Sequence, residues 1–230
     1  MIKAVCFDFF NTLAYFYPLR EVTYSEIAAE LGIRVTPEAI ADSLPQADAF
    51  WRNENLKSPI KEREQQDKFA VYSAYGQKIL EGAGVKATPE QGLQMLAKAF
   101  AIGFVFKSYD DAVPTLKAVR EKSLVIGLIS NIGQEIEDYC RDLGFAPFLD
   151  FKVTSWEVGY DKPRPEIFHA ALERAGVKAG EAIFVGDQYE QDVLGARGVG
   201  MKAVLLDRRN KGKPYDCPVI HNLTHIIDYI

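Results

Sequence analysis

Cysteine is scarce in this chain. Its 230 residues include only Cys6, Cys140 and Cys217, which are odd in number, far apart and without CxxC spacing. That excludes a disulfide framework or a zinc ribbon as the organising feature. Cys217, His221, His225 and Asp228 do fall near helical spacing, but Leu223, Ile226 and Ile227 take the opposing positions, so the segment reads as packing and zinc is set aside. There is no run of about eighteen uncharged apolar residues and no basic, apolar, small-residue leader, so the expectation is a cytoplasmic protein with no membrane partner. Basic charge is not in excess: 27 Lys and Arg against 32 Asp and Glu leave a net charge of -5. This gives no general electrostatic reason to bind nucleic acid, and any phosphate must be held locally. No internal repeat of roughly 20 to 50 residues and no low-complexity tract is present.

What remains is ordinary globular composition, 48% hydrophobic and 26% charged, in a chain long enough for a core domain with a smaller one inserted. The first fourteen residues read as an apolar strand, Ala4-Val5-Cys6-Phe7, that stops at Asp8 and passes into a turn holding Asn11 and Thr12. A carboxylate at that position either lies on the ligand-binding edge of a buried sheet or simply caps the turn. From about Tyr17 to Phe106 no buried β-branched strand is found. Ser25 to Leu31 continues a helix ended by Gly32, and Thr36-Pro37-Glu38 starts another with an N-cap and a first-turn proline. A mixed stretch from Pro59 to about Leu80 puts Phe69, Val71, Tyr72, Tyr75 and Ile79 on one side, and Thr88-Pro89-Glu90-Gln91 is a capping box.

Beyond Lys107 strands and helices alternate. Asp110-Asp111 reads as the cap of a helix over 112–122, followed by a strand at 124–129 that ends in Ser130-Asn131. A helix is expected over 133–143, a weaker strand over 151–155, a helix over 165–175, a strand over 182–186 ending at Asp187, a helix over 192–198 and a last parallel strand over 202–206. This alternation predicts an α/β fold, a doubly wound parallel sheet, with the core in 1–15 and 107–230 and an all-helical insert in 16–106. Arg208 to Lys213 is a short basic loop, read as a solvated connection that could edge an anion site.

Three strands thus end in polar residues at one edge: Asp8, Ser130 and Asp187. Lys162 follows the third strand, and Asp192 lies where a helix can turn it back to the same edge. Clustered carboxylates repel unless a cation neutralises them, and an oxygen-rich set suits Mg²⁺ rather than zinc. With such an ion and Lys162 screening the phosphoryl oxygens, Asp8 could attack phosphorus and form an aspartyl-phosphate.

Asp8-Phe-Phe-Asn-Thr12, Leu128-Ile-Ser-Asn131, Lys162-Pro163 with Glu166-Ile-Phe168, and Val185-Gly-Asp187 followed by Asp192 resemble the four ordered motifs of the haloacid dehalogenase-like (HAD) hydrolase superfamily. The resemblance implies a Rossmann-like core with a helical cap between the first two motifs. It implies Asp8 as nucleophile, Lys162 as its catalytic partner, Ser130, Asn131 and Thr12 around the substrate, and Mg²⁺ held by Asp8, the Phe10 carbonyl, Asp187 and Asp192. The implied partner is a small phosphorylated metabolite; monomer and homodimer stay open.

The family's phosphatases carry a second aspartate, the general acid, two residues after the nucleophile; here that residue is Phe10. The expectation is therefore a weak phosphatase. One alternative is a 2-haloacid dehalogenase, whose branch also lacks the second acid; another is a catalytically impaired protein that binds a phospho-ligand or a partner. Tyr15, Tyr17, Arg20, Trp51 and Arg52 are open between substrate contact and packing.

Overall fold

The computed structural model describes residues 1–131, 136–210, 212 and 214–230. Its strands are β1 (Ala4–Phe7), β2 (Ala14–Tyr17), β3 (Val105–Ser108), β4 (Val125–Ser130), β5 (Phe151–Thr154), β6 (Ala182–Gly186), β7 (Lys202–Leu206) and β8 (Val219–Ile220). Six of them form one sheet in the order β5-β4-β1-β6-β7-β8, parallel at every junction. The fold is thus α/β with a Rossmann-like parallel sheet. β1 is central, with Phe7 opposite Leu128 on one side and Val185 on the other.

The chain divides into two compact units, Met1–Tyr15 with Phe106–Ile230, and Phe16–Val105. In the first unit, side chains alternate between the two faces of the sheet as the pleat requires. Val5, Phe7, Leu128, Val185 and Val204 join one apolar layer, covered by α5 (Ala112–Glu121), α6 (Ile136–Asp142) and a 3-10 segment, Leu223–Tyr229. Ala4, Cys6, Ile129, Phe184 and Leu205 join the other, covered by α8 (Pro165–Ala175) and the stretch Tyr189–Gly198. Burial on both faces explains the continuous apolar runs in these strands. Short α7 (Ser155–Val158) follows β5, and α9 (Gly195–Gly198) completes the stretch before β7.

The second unit packs α1 (Arg20–Glu30), α2 (Pro37–Lys57), α3 (Gln65–Gly82) and α4 (Pro89–Ile102) around Ile27, Ile40, Ile79, Met95 and Leu96. The Thr36 hydroxyl accepts from the Ala39 N–H at 3.2 Å, and Thr88 with Gln91 forms the reciprocal box that opens α4. α3 and α4 meet at Gly76 and Gly92, where a Cβ on Gly76 would lie 2.2 Å from the Gly92 carbonyl oxygen. Arg20 forks onto Asp48 (2.7 and 3.0 Å), and the Tyr75 hydroxyl donates to the same carboxylate at 2.6 Å. Trp51 stacks on Tyr72 with ring centroids 5.6 Å apart. These geometries assign Arg20 and Trp51 to the packing of the helices.

Several expectations need correction. β2 and β3, a two-stranded ribbon at the margins of the helical stretch, were not foreseen; Val105 is 59% exposed, so they lack a buried apolar run. The stretch from Pro59 opens with a single 3-10 turn, Ile60–Glu62, and becomes α-helical only at Gln65. Asp111 stands at the N-cap position of α5 as expected, but its side chain makes no capping hydrogen bond, because the carboxylate is turned to Arg208 and to the Leu223 N–H. The helix expected from Asp192 begins earlier, as a wide π turn over Tyr189–Leu194. β8 extends the sheet beyond the expected last strand, and the segment from Cys217 to Asp228 is β8 followed by 3-10 structure, so its helical spacing is not realised. Residues 133–135 of the helix expected over 133–143, and Lys211 and Lys213 of the basic loop, lie outside the described residues. No helix among the described residues is long and apolar enough to cross a membrane.

Candidate active site

The site is built at the carboxyl edge of the central strands, where β1, β4 and β6 run out beside one another. Asp8 is the first residue past β1; its N–H donates to the Val185 carbonyl at 2.8 Å, which continues the β1–β6 ladder and fixes the backbone beneath the carboxylate. One carboxylate oxygen accepts from the Thr12 hydroxyl at 3.1 Å, and the other accepts from Lys162 Nζ at 2.6 Å. The same ammonium donates to Asp192 at 2.7 Å. Lys162 is 4% exposed and lies 5.2 Å from the centroid of the Phe184 ring, so its charge is held in an apolar sleeve with two carboxylates as partners.

Asp192 reaches this edge because the chain turns back through the π turn after β6. Its second oxygen accepts from the Gln188 N–H at 2.9 Å. The approach is allowed by Gly186: a Cβ there would lie 2.3 Å from an Asp192 carboxylate oxygen. Wide turns of this kind occur often at functional positions. Asp187, next in sequence, has one carboxylate oxygen buried without a hydrogen-bond partner among the described residues, while the Asn11 side chain bonds to the carboxylate.

Asp8, Asp187 and Asp192 each present an oxygen within 4.8 Å of the others. The electrostatics follow from that crowding. Burial raises the Asp8 carboxyl to about 6, Lys162 opposes the rise, and Asp192 adds to it. Asp187 is pushed well above the usual carboxylate range, first by burial and then by Asp8 and Asp192. Burial alone would lower the Lys162 ammonium, but Asp192 and Asp8 outweigh it and keep the group charged. One lysine is bonded to two of the three carboxylates. An unpartnered buried oxygen in an all-oxygen cluster fits a hard divalent cation, which would reverse these shifts.

Of the remaining residues singled out in the sequence, Thr12 is buried with its hydroxyl on Asp8, and Ser130 is buried at the end of β4, opposite Thr154. Asn131 braces the lysine loop: its carbonyl oxygen accepts from the Lys162 N–H at 2.8 Å, and its amide donates to Gln191 at 3.0 Å. Phe10 packs with the apolar layer of β1, its ring 6.3 Å from that of Phe106. Sequence reasoning missed Gly186, Gln191 and Arg208. For Gly186 the signal was a glycine between a buried strand and an aspartate. For Arg208 it was a cation two residues past the end of β7, at the edge that carries Asp8; its guanidinium donates to the Asn11 and Thr12 carbonyls at 3.2 and 2.7 Å.

Comparison with known proteins bears on the family and the fold. A match to the haloacid dehalogenase-like hydrolase family spans residues 2–200. A protein of Methanopyrus kandleri named glyceraldehyde 3-phosphate phosphatase is 30% identical over 211 residues, 90% of this chain and 85% of its own. A cow protein named haloacid dehalogenase-like hydrolase domain-containing protein 3 is 34% identical over 49% of this chain, a match that takes in only 45% of the cow protein. Among solved structures, a HAD phosphatase from Thermococcus onnurineus is 25% identical with a TM-score of 0.58, over 99% of this chain and 97% of its own. A 2-haloacid dehalogenase from Pseudomonas syringae, also 25% identical, has a TM-score of 0.55 over the same shares. The chain belongs to the haloacid dehalogenase-like hydrolase family.

Proposed function

We propose that the chain is a Mg²⁺-dependent phosphatase that acts through an aspartyl-phosphate at Asp8 on a small phosphorylated metabolite. The observation that carries this reading is the cluster of Asp8, Asp187 and Asp192, the first and last bonded to the Lys162 ammonium, with a buried Asp187 oxygen lacking a partner among the described residues. Asp8, Asp187, Asp192 and the Phe10 carbonyl would hold Mg²⁺. Bound there, the ion supplies charge neutralisation for a phosphoryl group that would otherwise meet three carboxylates. Lys162, kept protonated by Asp8 and Asp192, offers its charge to the phosphoryl oxygens, and Ser130, Asn131 and Thr12 line the substrate end of the site.

In the first step an Asp8 carboxylate oxygen bonds to phosphorus as the bond from phosphorus to the leaving oxygen breaks. In the second, water breaks the bond between phosphorus and Asp8, releasing inorganic phosphate and restoring the carboxylate. Phe10 cannot give the leaving oxygen a proton. General acid help is worth about 10²- to 10⁴-fold, so alkyl phosphates suffer most and aryl or acyl phosphates least. The helical unit acts as the cap and carries substrate selection. The name of the Methanopyrus kandleri relative makes phosphorylated short sugars the first compounds to screen.

The missing acid and the likeness to the Pseudomonas syringae protein favour a second reading, cleavage of a 2-haloacid. Asp187 and Asp192 weigh against it, because they would repel a carboxylate substrate. p-Nitrophenyl phosphate turnover that needs Mg²⁺ and disappears in Asp8→Asn is the expected result. Turnover indifferent to the metal or to that substitution would overturn the phosphatase reading, and halide release in the presence of a chelator would install the dehalogenase.

A further inference from the structure

Arg208 belongs to none of the motifs that carry the family likeness, yet it touches the loop that follows Asp8 at two successive peptides. Nε donates to the Asn11 carbonyl at 3.2 Å and Nη2 to the Thr12 carbonyl at 2.7 Å. The guanidinium also forks onto Asp111, both contacts at 2.8 Å, and lies 3.8 Å from the centroid of the Tyr109 ring. The far side of this assembly is tied down as well: Asp111 accepts from the Leu223 N–H at 2.8 Å, and the Tyr109 N–H donates to the Leu13 carbonyl at 3.0 Å.

The loop held in this way carries two side chains that reach the acidic centre, the Thr12 hydroxyl on Asp8 and the Asn11 side chain on Asp187. Asn11 also has a φ of 58°, a left-handed conformation that asparagine adopts more readily than most residues, and its carbonyl is one of the two that Arg208 holds. An exposed ion pair would matter little, but the Arg208 and Asp111 side chains are only 17% and 10% exposed.

We propose that Arg208, locked by Asp111, is a positioning residue: by fixing the peptides at Asn11 and Thr12 it sets the direction in which Asp8 presents its attacking oxygen. This rests on the reading of Asp8 as nucleophile. The planar fork matters as well as the charge, because an ammonium cannot span two carbonyls and a carboxylate in one plane.

The test compares Arg208→Lys, Arg208→Ala and Asp111→Asn with the unaltered chain, by p-nitrophenyl phosphate kinetics with Mg²⁺ and by amide hydrogen exchange. In the two Arg208 variants kcat should fall by about tenfold or more with KM within about twofold, because small misplacements of reacting groups are costly; Asp111→Asn should fall less. Exchange in segment 9–14 should quicken about tenfold while β6 and α4 keep their protection. An unchanged kcat, a lysine variant equal to wild type, or exchange that quickens everywhere would each overturn the proposal. An unaltered chain without Asp8-dependent turnover would sink the phosphatase reading instead, and the exchange data alone would then decide the clamp, with unchanged protection at 9–14 counting against it.

Discussion

At residue 10 a phenyl ring packs toward Phe106 where a phosphatase of this family would keep a proton donor. Phe10→Asp should therefore raise kcat on alkyl phosphates by about 10- to 100-fold and on p-nitrophenyl phosphate by under about threefold, in parallel assays of both substrates. No gain on the alkyl ester would show that another group supplies the proton. Asp187 poses the opposite problem, a carboxyl group crowded by Asp8 and Asp192 with one buried oxygen lacking a partner among the described residues. Replacing it with the isosteric amide should stabilise the metal-free protein by about 1 kcal/mol in thermal unfolding, since it removes the repulsion and desolvation that oppose ionisation there. The same variant should lose activity, which is the usual cost of stabilising a functional site.

The helical elements hold a second buried charge arrangement, Arg20 with Asp48 and Tyr75. Arg20 and Tyr75 hold the Asp48 carboxyl below its usual range against the burial that would raise it. A lowered folded value means that this stability is fully present above the ordinary carboxylate range and is lost as pH falls below about 3.8 toward the lowered value. Asp48→Asn should cost about 2 kcal/mol at neutral pH, because it removes the carboxylate charge that faces the Arg20 guanidinium, and the deficit should shrink in acid; urea melts at pH 7 and pH 3 measure both. Which elements could be read in the sequence follows from the same energetics. β1, β4, β6 and β7 were visible because both of their faces are buried, and Asp8, Lys162, Asp187 and Asp192 because the edge of such a sheet has few other reasons to be charged. The ribbon strands were not, since half-exposed pairs such as Val105 and Phe106 carry no periodic signal. Arg208 and Asp111 were misread because each looked like a local feature, a solvated loop and a helix cap, while their pairing spans 97 positions of sequence.

Across the whole molecule, a net charge of -5 gathers three carboxylates against one lysine at a single edge, so the native state should respond to divalent cations more than to salt. Millimolar Mg²⁺ should raise the melting temperature in a saturable way, as a ligand that binds only the folded state does, while an equal ionic strength of NaCl should not. Asp187→Asn should abolish the Mg²⁺ response; a response that survives would place the ion elsewhere. The paired strands β2 and β3 have a consequence at this scale too. The chain leaves the sheet unit along one and re-enters along the other, so the two junctions stay neighbours whatever is spliced between them. Because the ribbon closes the opening itself, the length of the insertion adds little to the entropy of forming the sheet. The interruption after Tyr15 is thus closed at its own base, and the sheet unit owes the nearness of its two chain breaks to the ribbon and not to the sequence between them.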